Sequence, residues 1–241
     1  MPFEVSAKLA EVQAELRSLD VAFNEASSKL VVERDVKKNA VFQERAELLR
    51  SKSATKAFWP LVLRLHPDIR HELMGPYDDQ ILDSVEDFRV VFNPDGSYRI
   101  SFVFAANDFF TDKELWLEVS APGEDLDAVI STSGVAWKPG RGPVDEEEDE
   151  PASRSTGQKA SREDAAMTRG PSLFELFDDM APPPGADDEE EEESDEEDDG
   201  FRQAYEEEYQ ERMEMVHCLV EEVWEDPLAI LVGQQADDGE E

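Results

Sequence analysis

The sequence predicts an α+β fold: a long N-terminal helix, a four-stranded antiparallel sheet with helices around it, and acidic disordered loops. Three observations carry this. Residues 4–52 contain neither glycine nor proline and repeat apolar residues at helical spacing. Residues 88–137 alternate apolar and polar side chains between turn signals. The charge is segregated, with a net −7 over residues 1–142 and −30 over residues 143–241 of the total of −37.

In the first segment Leu9, Val12, Leu16, Leu19, Phe23, Ala26 and Leu30 alternate spacings of three and four, the seam of a helix packed lengthwise on another. After Leu30 the seam shifts and resumes through Val32, Val36, Phe42, Ala46 and Leu49, as in a stutter. A helix of ~45 residues is ~70 Å long at 1.5 Å per residue. That is too long to bury its stripe against one small domain, so a single dimerising helix over 1–54 is expected. A helical hairpin would need a turn residue that the segment lacks.

From Phe58 the texture changes. Phe58-Trp59-Pro60 opens a short apolar segment that ends at His66-Pro67, and Asp78 to Val85 reads as another short helix. Phe88–Asn93 reads as a strand, Asn93–Ser97 as a turn by its Pro and Gly content, and Tyr98–Ala105 as a second strand. Leu115, Leu117 and Val119 mark a third strand, and Val135 with Trp137 is expected to close the sheet. The block 55–144 forms the first part of the domain.

Residues 145–170 and 181–200 are polar or densely acidic, with six consecutive acids at Asp145–Glu150 and twelve in the thirteen positions Asp187–Asp199. Like charges at that density repel and stay solvated, so both segments are expected to be disordered. Between them, 171–180 carries a short apolar island, Ser172-Leu-Phe-Glu-Leu-Phe177, that belongs with the domain. The span 201–232 reads as a C-terminal helix ended by Pro227, followed by a short acidic tail at 233–241. Tyr205, Tyr209, Met213, Val216, Val220 and Val223 form its apolar row. Glu207, Glu211, Glu214, Glu221 and Glu225 form an acidic row about 200° away. That row reads either as a docking face or as a solvated one.

Chemistry is sparse. The histidines His66, His71 and His217 sit in no metal-ligand spacing, and Cys218 is the only cysteine. Structural or surface roles are expected for all four, with no metal and no cofactor. Gly140-Arg141-Gly142 lacks the strand and helix that make a phosphate cradle. Asp195, Glu197, Asp199, Gly200 and Glu206 match the spacing of a calcium loop, but Arg202 stands where that loop packs an apolar residue. No catalytic constellation emerges, and an enzyme is not expected. Ser194, flanked by acids, reads as a target of an acid-directed kinase or as a spacer. The net charge argues against a grip on a phosphate backbone or an anionic membrane and favours basic partners. No signal peptide and no apolar run of membrane-spanning length are visible.

These residues resemble the nucleosome assembly protein/SET family of histone chaperones. The resemblance rests on Phe58-Trp59 with His66-Pro67, on Tyr98–Val119 (YRISFVFAANDFFTDKELWLEV), and on Gly134-Val-Ala-Trp137-Lys138-x-Gly140. The SLFELF island and the helix ending Asp226-Pro227-Leu228-Ala229 resemble that family's later segments. The resemblance implies a homodimer of antiparallel long helices, each ending in an α+β "earmuff" domain. It implies dimer contacts at Leu9, Val12, Leu16, Leu19, Phe23, Leu30, Val36, Phe42 and Leu49. It implies that core histones, as the tetramer-forming or the dimer-forming pair, meet acidic residues. These are Asp145, Glu146, Glu147, Glu148, Asp187, Asp188, Glu189 and Glu190, with Glu207, Glu211, Glu214, Glu221 and Glu225 of the last helix. One departure is that the longest acidic run precedes the last helix instead of trailing it. The expected function is a histone chaperone that prevents histone–DNA aggregation and promotes nucleosome assembly, in the nucleus with shuttling to the cytoplasm. The other reading is an acidic adaptor or inhibitor that docks on an enzyme such as a phosphatase.

Overall fold

The computed structural model describes residues 2–50, 57–72, 77–121, 128–142, 172–178 and 196–237. Helix α1 runs unbroken from Pro2 to Arg50, 49 residues, or about 74 Å. Its opening proline fits the first helical position, where the missing N–H costs nothing. Helix α2 (Phe58–Leu65) buries Trp59, Pro60, Val62 and Leu63. It stops because Pro67 forces His66 out of the helical region, to φ −68° and ψ 122°. The same proline opens α3 (Pro67–Glu72).

Helix α4 (Asp78–Leu82) is shorter than the expected 78–85. Val85 already belongs to strand β1 (Val85–Phe92), paired antiparallel with β2 (Tyr98–Phe104). The turn between them is tied by Asn93 N–H donating to Ser97 O at 2.8 Å and by Asp95 Oδ1 accepting from Ser97 N–H at 3.0 Å. Gly96 adopts φ +90° there, and a Cβ would approach Val32 of α1 to 3.3 Å. Strand β3 (Glu114–Val119) pairs with β2, and β4 (Ile130–Thr132) pairs with β3, giving the order β1-β2-β3-β4. The fourth strand is therefore not Val135–Trp137. Gly134 takes φ +64°, which turns the chain off the ladder, and Trp137 makes a single bridge with Phe110.

The SLFELF island is a 3-10 helix, Leu173–Phe177, with both Leu and both Phe buried. Asp78, 2 % exposed, holds it by accepting from Ser172 Oγ–H at 2.7 Å and from Leu173 N–H at 2.9 Å. Ser172 in turn caps the turn by accepting from Phe174 N–H. Phe102 packs on Phe177, and Phe104 and Phe110 pack on Phe174, so this segment closes the core over one face of the sheet.

The C-terminal helical segment breaks just before Pro227, as expected, but starts before 201 and changes its winding on the way. Helix α5 starts at Glu196, inside the acidic run, and continues to His217. A π-helical stretch follows from Cys218 to Trp224. After a break at Glu225-Asp226, Pro227 opens a further helix, α6 (Pro227–Asp237). Helical backbone through Glu196–Glu206 rules out a calcium loop there. Trp224, at the end of the π stretch, stacks on Trp59 at 5.4 Å and meets Phe88 edge-on at 5.6 Å. These contacts bring α2, β1 and the C-terminal segment into one core. Among the described residues, no helix is long and apolar enough to cross a membrane.

Candidate functional site

Two surfaces stand out: an apolar stripe on α1 and an acidic flank on α5 and the π stretch. On α1 residues 8–31 are exposed all round, and Leu9, Val12, Leu16, Leu19, Phe23 and Leu30 are each half or more exposed. Leu30 and Leu48 stand 18 residues apart, which is five full turns, so they share one direction. Val41 lies about 20° from that direction, and both Val41 (63 %) and Leu48 (67 %) are exposed. Between Leu30 and Val41 that direction is taken by Arg34 and Lys37, so the apolar stripe runs from Leu9 to Leu30 and resumes at Val41 and Leu48.

The shifted seam faces the other way. Phe42 and Leu49 lie about 100° to 120° from the stripe on one side and Val36 about 120° from it on the other, and all three are half-buried. Phe42 and Leu49 pack against this chain's own core, Phe42 with its ring 5.1 Å from that of Trp224. Their apolarity is thus accounted for within one chain, and what reads as a stutter is the switch from one face to the opposite one. Asn39 on this inner face pairs with the β1 backbone. Its Nδ2–H donates to Phe92 O at 2.8 Å and its Oδ1 accepts from Phe92 N–H at 3.2 Å.

Arg45 anchors the same face. Its guanidinium lies 4.8 Å from the Phe42 ring, 5.4 Å from Trp59 and 4.3 Å from Trp224, and its Nη1–H donates to Trp224 O at 2.6 Å. Its Nε and Nη2 are buried without a hydrogen-bond acceptor, and the aromatic faces take that role. Burial lowers its pKa to about 10, so it stays charged at neutral pH.

On the acidic flank, Glu207, Glu211 and Glu214 are exposed on α5. Glu207 accepts from Gln203 at 2.9 Å, and no ion pair covers Glu211 or Glu214 among the described residues. The buried side of the helix is fastened by Tyr209, whose hydroxyl donates to Ala128 O at 2.7 Å. Arg212 adds a second tie, donating to Asp178 O at 2.6 Å. The expected acidic row does not continue straight into Glu221 and Glu225. A π turn spends more residues per revolution than an α turn, so these two are carried round towards α1. There Lys38 pairs with Glu225, and a cleft of about 240 Å³ opens between α1, the β1–β2 turn and the π stretch. Asp35, Glu221, Glu225, Arg34, His217 and Tyr98 line it. Asp35 accepts from Arg34 at 2.8 Å, and that hydrogen bond raises the Arg34 pKa. Burial, with Glu221 nearby, pushes the Tyr98 hydroxyl up to about 12.

Asp145, Glu146, Glu147, Glu148, Asp187, Asp188, Glu189, Glu190 and Ser194 lie outside the described residues. One grouping has no signature in sequence spacing: His66, Cys218 and Glu222 meet although 152 residues separate His66 from Cys218.

The long helix with its exposed apolar stripe is joined to an α+β domain that carries an exposed acidic flank on α5. The family model for nucleosome assembly proteins matches residues 4–231, and the chain belongs to that family. Solved structures share the fold. Nucleosome Assembly Protein 1 from Plasmodium knowlesi superposes with a TM-score of 0.62 at 16% identity, covering 95% of each chain. Nucleosome assembly protein S from Plasmodium falciparum gives 0.50 at 21% identity, covering 92% of this chain and 97% of that one. Among curated proteins, NAP1-related protein 2 from Oryza sativa subsp. indica is 28% identical over 139 residues, which is 55% of this chain and 52% of that protein. An aspartic acid-rich protein from Plasmodium falciparum is 27% identical over 137 residues, with the same coverage. The chain spans about half the length of the curated relatives it matches.

Proposed function

We propose that this chain is a histone chaperone that works as a homodimer. The observation that carries the reading is the exposed Glu207–Glu211–Glu214 face, which takes part in no ion pair among the described residues, on a fold whose family match runs from residue 4 to 231. Core histones are strongly basic and bind DNA non-specifically. A soluble polyanion with a net −37 per chain competes for them, keeps them from aggregating on DNA and releases them when correctly placed histone–DNA contacts are stronger. No ATP is required. The folded acidic face orients the partner, and the further acids of 145–148 and 187–190 raise the capture rate in a salt-dependent way.

The stripe from Leu9 to Leu30, resumed at Val41 and Leu48, supports self-association, because so many exposed large apolar side chains in one direction exceed the scattered singles of a monomer surface. Nuclear residence, with shuttling, follows from the cargo. The test is a pull-down of each core-histone pair at physiological ionic strength with the full chain. We expect binding that weakens with salt and with a Glu207→Gln/Glu211→Gln/Glu214→Gln variant. No histone binding would overturn the reading, and binding insensitive to both salt and charge would favour a specific enzyme-docking adaptor.

A further inference from the structure

Outside the two docking surfaces, one cluster of side chains has the chemistry of a metal site. His66 Nε2 lies 3.1 Å from Glu222 Oε2 and 3.6 Å from Cys218 Sγ, and the three ligand atoms all fall within 4.8 Å of one another. We propose that His66, Cys218 and Glu222 form a three-ligand site for a divalent transition metal, Zn²⁺ in the first place. This proposal is independent of histone binding.

The donor set fits the ion. A thiolate, an imidazole and a carboxylate are the ligands zinc takes, and three protein ligands leave a fourth position for water. Tetrahedral Zn²⁺ with ordinary bond lengths separates N from S by roughly 3.6 Å and N from O by roughly 3.4 Å. Both separations are met here within a few tenths of an ångström. The sulfur is nearly equidistant from the two ring nitrogens, at 3.6 and 3.7 Å. The imidazole therefore turns about its Cβ–Cγ bond to aim Nε2 between Sγ and Oε2, and the exposed Glu222 carboxylate swings in to complete the set. On binding, the Cys218 thiol gives its proton to solvent, and His66 binds as neutral imidazole.

The backbone is arranged around this set. His66 is held in extended conformation by Pro67 at the end of α2 and is 1 % exposed. Cys218 opens the π stretch and Glu222 lies within it. Such wide turns concentrate at functional positions, and here one places two ligands four residues apart towards α2. Glu222 reaches solvent, with 59% of its side chain exposed, so an ion has an entry path. Bound metal would clip the C-terminal segment to α2 beside the Trp59–Trp224 stack.

Surface carboxylates bind divalent cations diffusely, so the experiment must read sulfur. The full chain is titrated with Co²⁺, followed by its near-ultraviolet thiolate-to-cobalt absorption, and then with Zn²⁺ in competition. The expected result is one saturable site per chain with that band, displaced by Zn²⁺. Cys218→Ser abolishes the band. Glu222→Gln, a change at an exposed position, weakens binding by at least about tenfold, since even outer-shell partners of metal ligands are worth that much. In parallel, Zn²⁺ slows alkylation of Cys218 in the unmutated chain, a readout that needs no variant to fold. Cobalt bound without a thiolate band, a band that persists in Cys218→Ser, or unchanged alkylation in saturating Zn²⁺ would each overturn the proposal.

Discussion

Helix α1 has two faces with different employment, and two substitutions separate them. Leu19, 63 % exposed, lies on the stripe, whereas Phe42 sits half-buried against Trp224. Burying a leucine fully is worth about 1.5–3 kcal/mol, so covering the exposed part of Leu19 gives about 1–2 kcal/mol per chain. A two-fold dimer counts it twice, about 2–4 kcal/mol, and at 1.4 kcal/mol per decade Leu19→Glu raises the dimer Kd roughly 30- to 700-fold. The buried charge adds to that. Truncating a fully buried phenylalanine costs about 3–5 kcal/mol. Half of that, with the lost ring contact of about 0.5–1.5 kcal/mol, makes Phe42→Ala cost about 2–4 kcal/mol of domain stability. With a urea slope of about 2–3 kcal/mol/M, the midpoint falls by about 1–2 M. Sedimentation equilibrium reads the first effect and urea unfolding followed by tryptophan fluorescence reads the second. Leu19→Glu should dissociate the dimer and leave the domain's near-ultraviolet circular dichroism intact, and Phe42→Ala should do the reverse. A Phe42→Ala protein that loses its dimer at full domain stability, or a Leu19→Glu protein that stays dimeric, would refute the division of the helix.

Further outcomes follow from the same contacts. Asp78→Ala leaves the buried Leu173 N–H without its acceptor, costing about 1–3 kcal/mol for that group alone, and Ser172→Ala costs about 1 kcal/mol as a lost cap. Urea midpoints should rank wild type above Ser172→Ala above Asp78→Ala. The Tyr98 pKa is raised in the folded state to about 12. Its contribution is therefore fully present below the unfolded value of about 10 and lost as pH rises through about 12, and Tyr98→Phe should remove that part of the alkaline unfolding transition. For the acidic face, neutralising Glu207, Glu211 and Glu214 together should lower affinity for a basic partner several-fold and flatten its salt dependence. Neutralising Glu225, already paired with Lys38, should change it less, as isothermal titration at two salt concentrations would register.

Much of the architecture was legible in the chain. The missing glycines and prolines of 4–52 dictate one helix, alternation at Tyr98–Phe104 dictates a strand with one buried face, and Asn93–Ser97 dictates the turn. The errors have physical causes. Ile130–Thr132 is too short a strand to show a period, and Val135–Trp137 is apolar because it covers Phe110, without a ladder to join. The π stretch has no signature in the pattern of apolar residues, so α-helical spacing extends the acidic row to Glu221 and Glu225, and the wider turn removes them from it. Val41 and Leu48 do not stand out in the sequence because the adjacent apolar residues Phe42 and Leu49 draw the seam to the inner face.

By itself the sequence determined the segregation of charge, −7 in front and −30 behind, the long helix and three of the four strands. Those follow from local propensity, spacing and composition, which act over a few residues and survive without knowledge of the fold. Tertiary structure alone decided which side of α1 the domain covers, where the acidic row turns, and that His66 meets Cys218 and Glu222. Each of these depends on two distant segments packing together, and packing is set by the shapes of both surfaces at once.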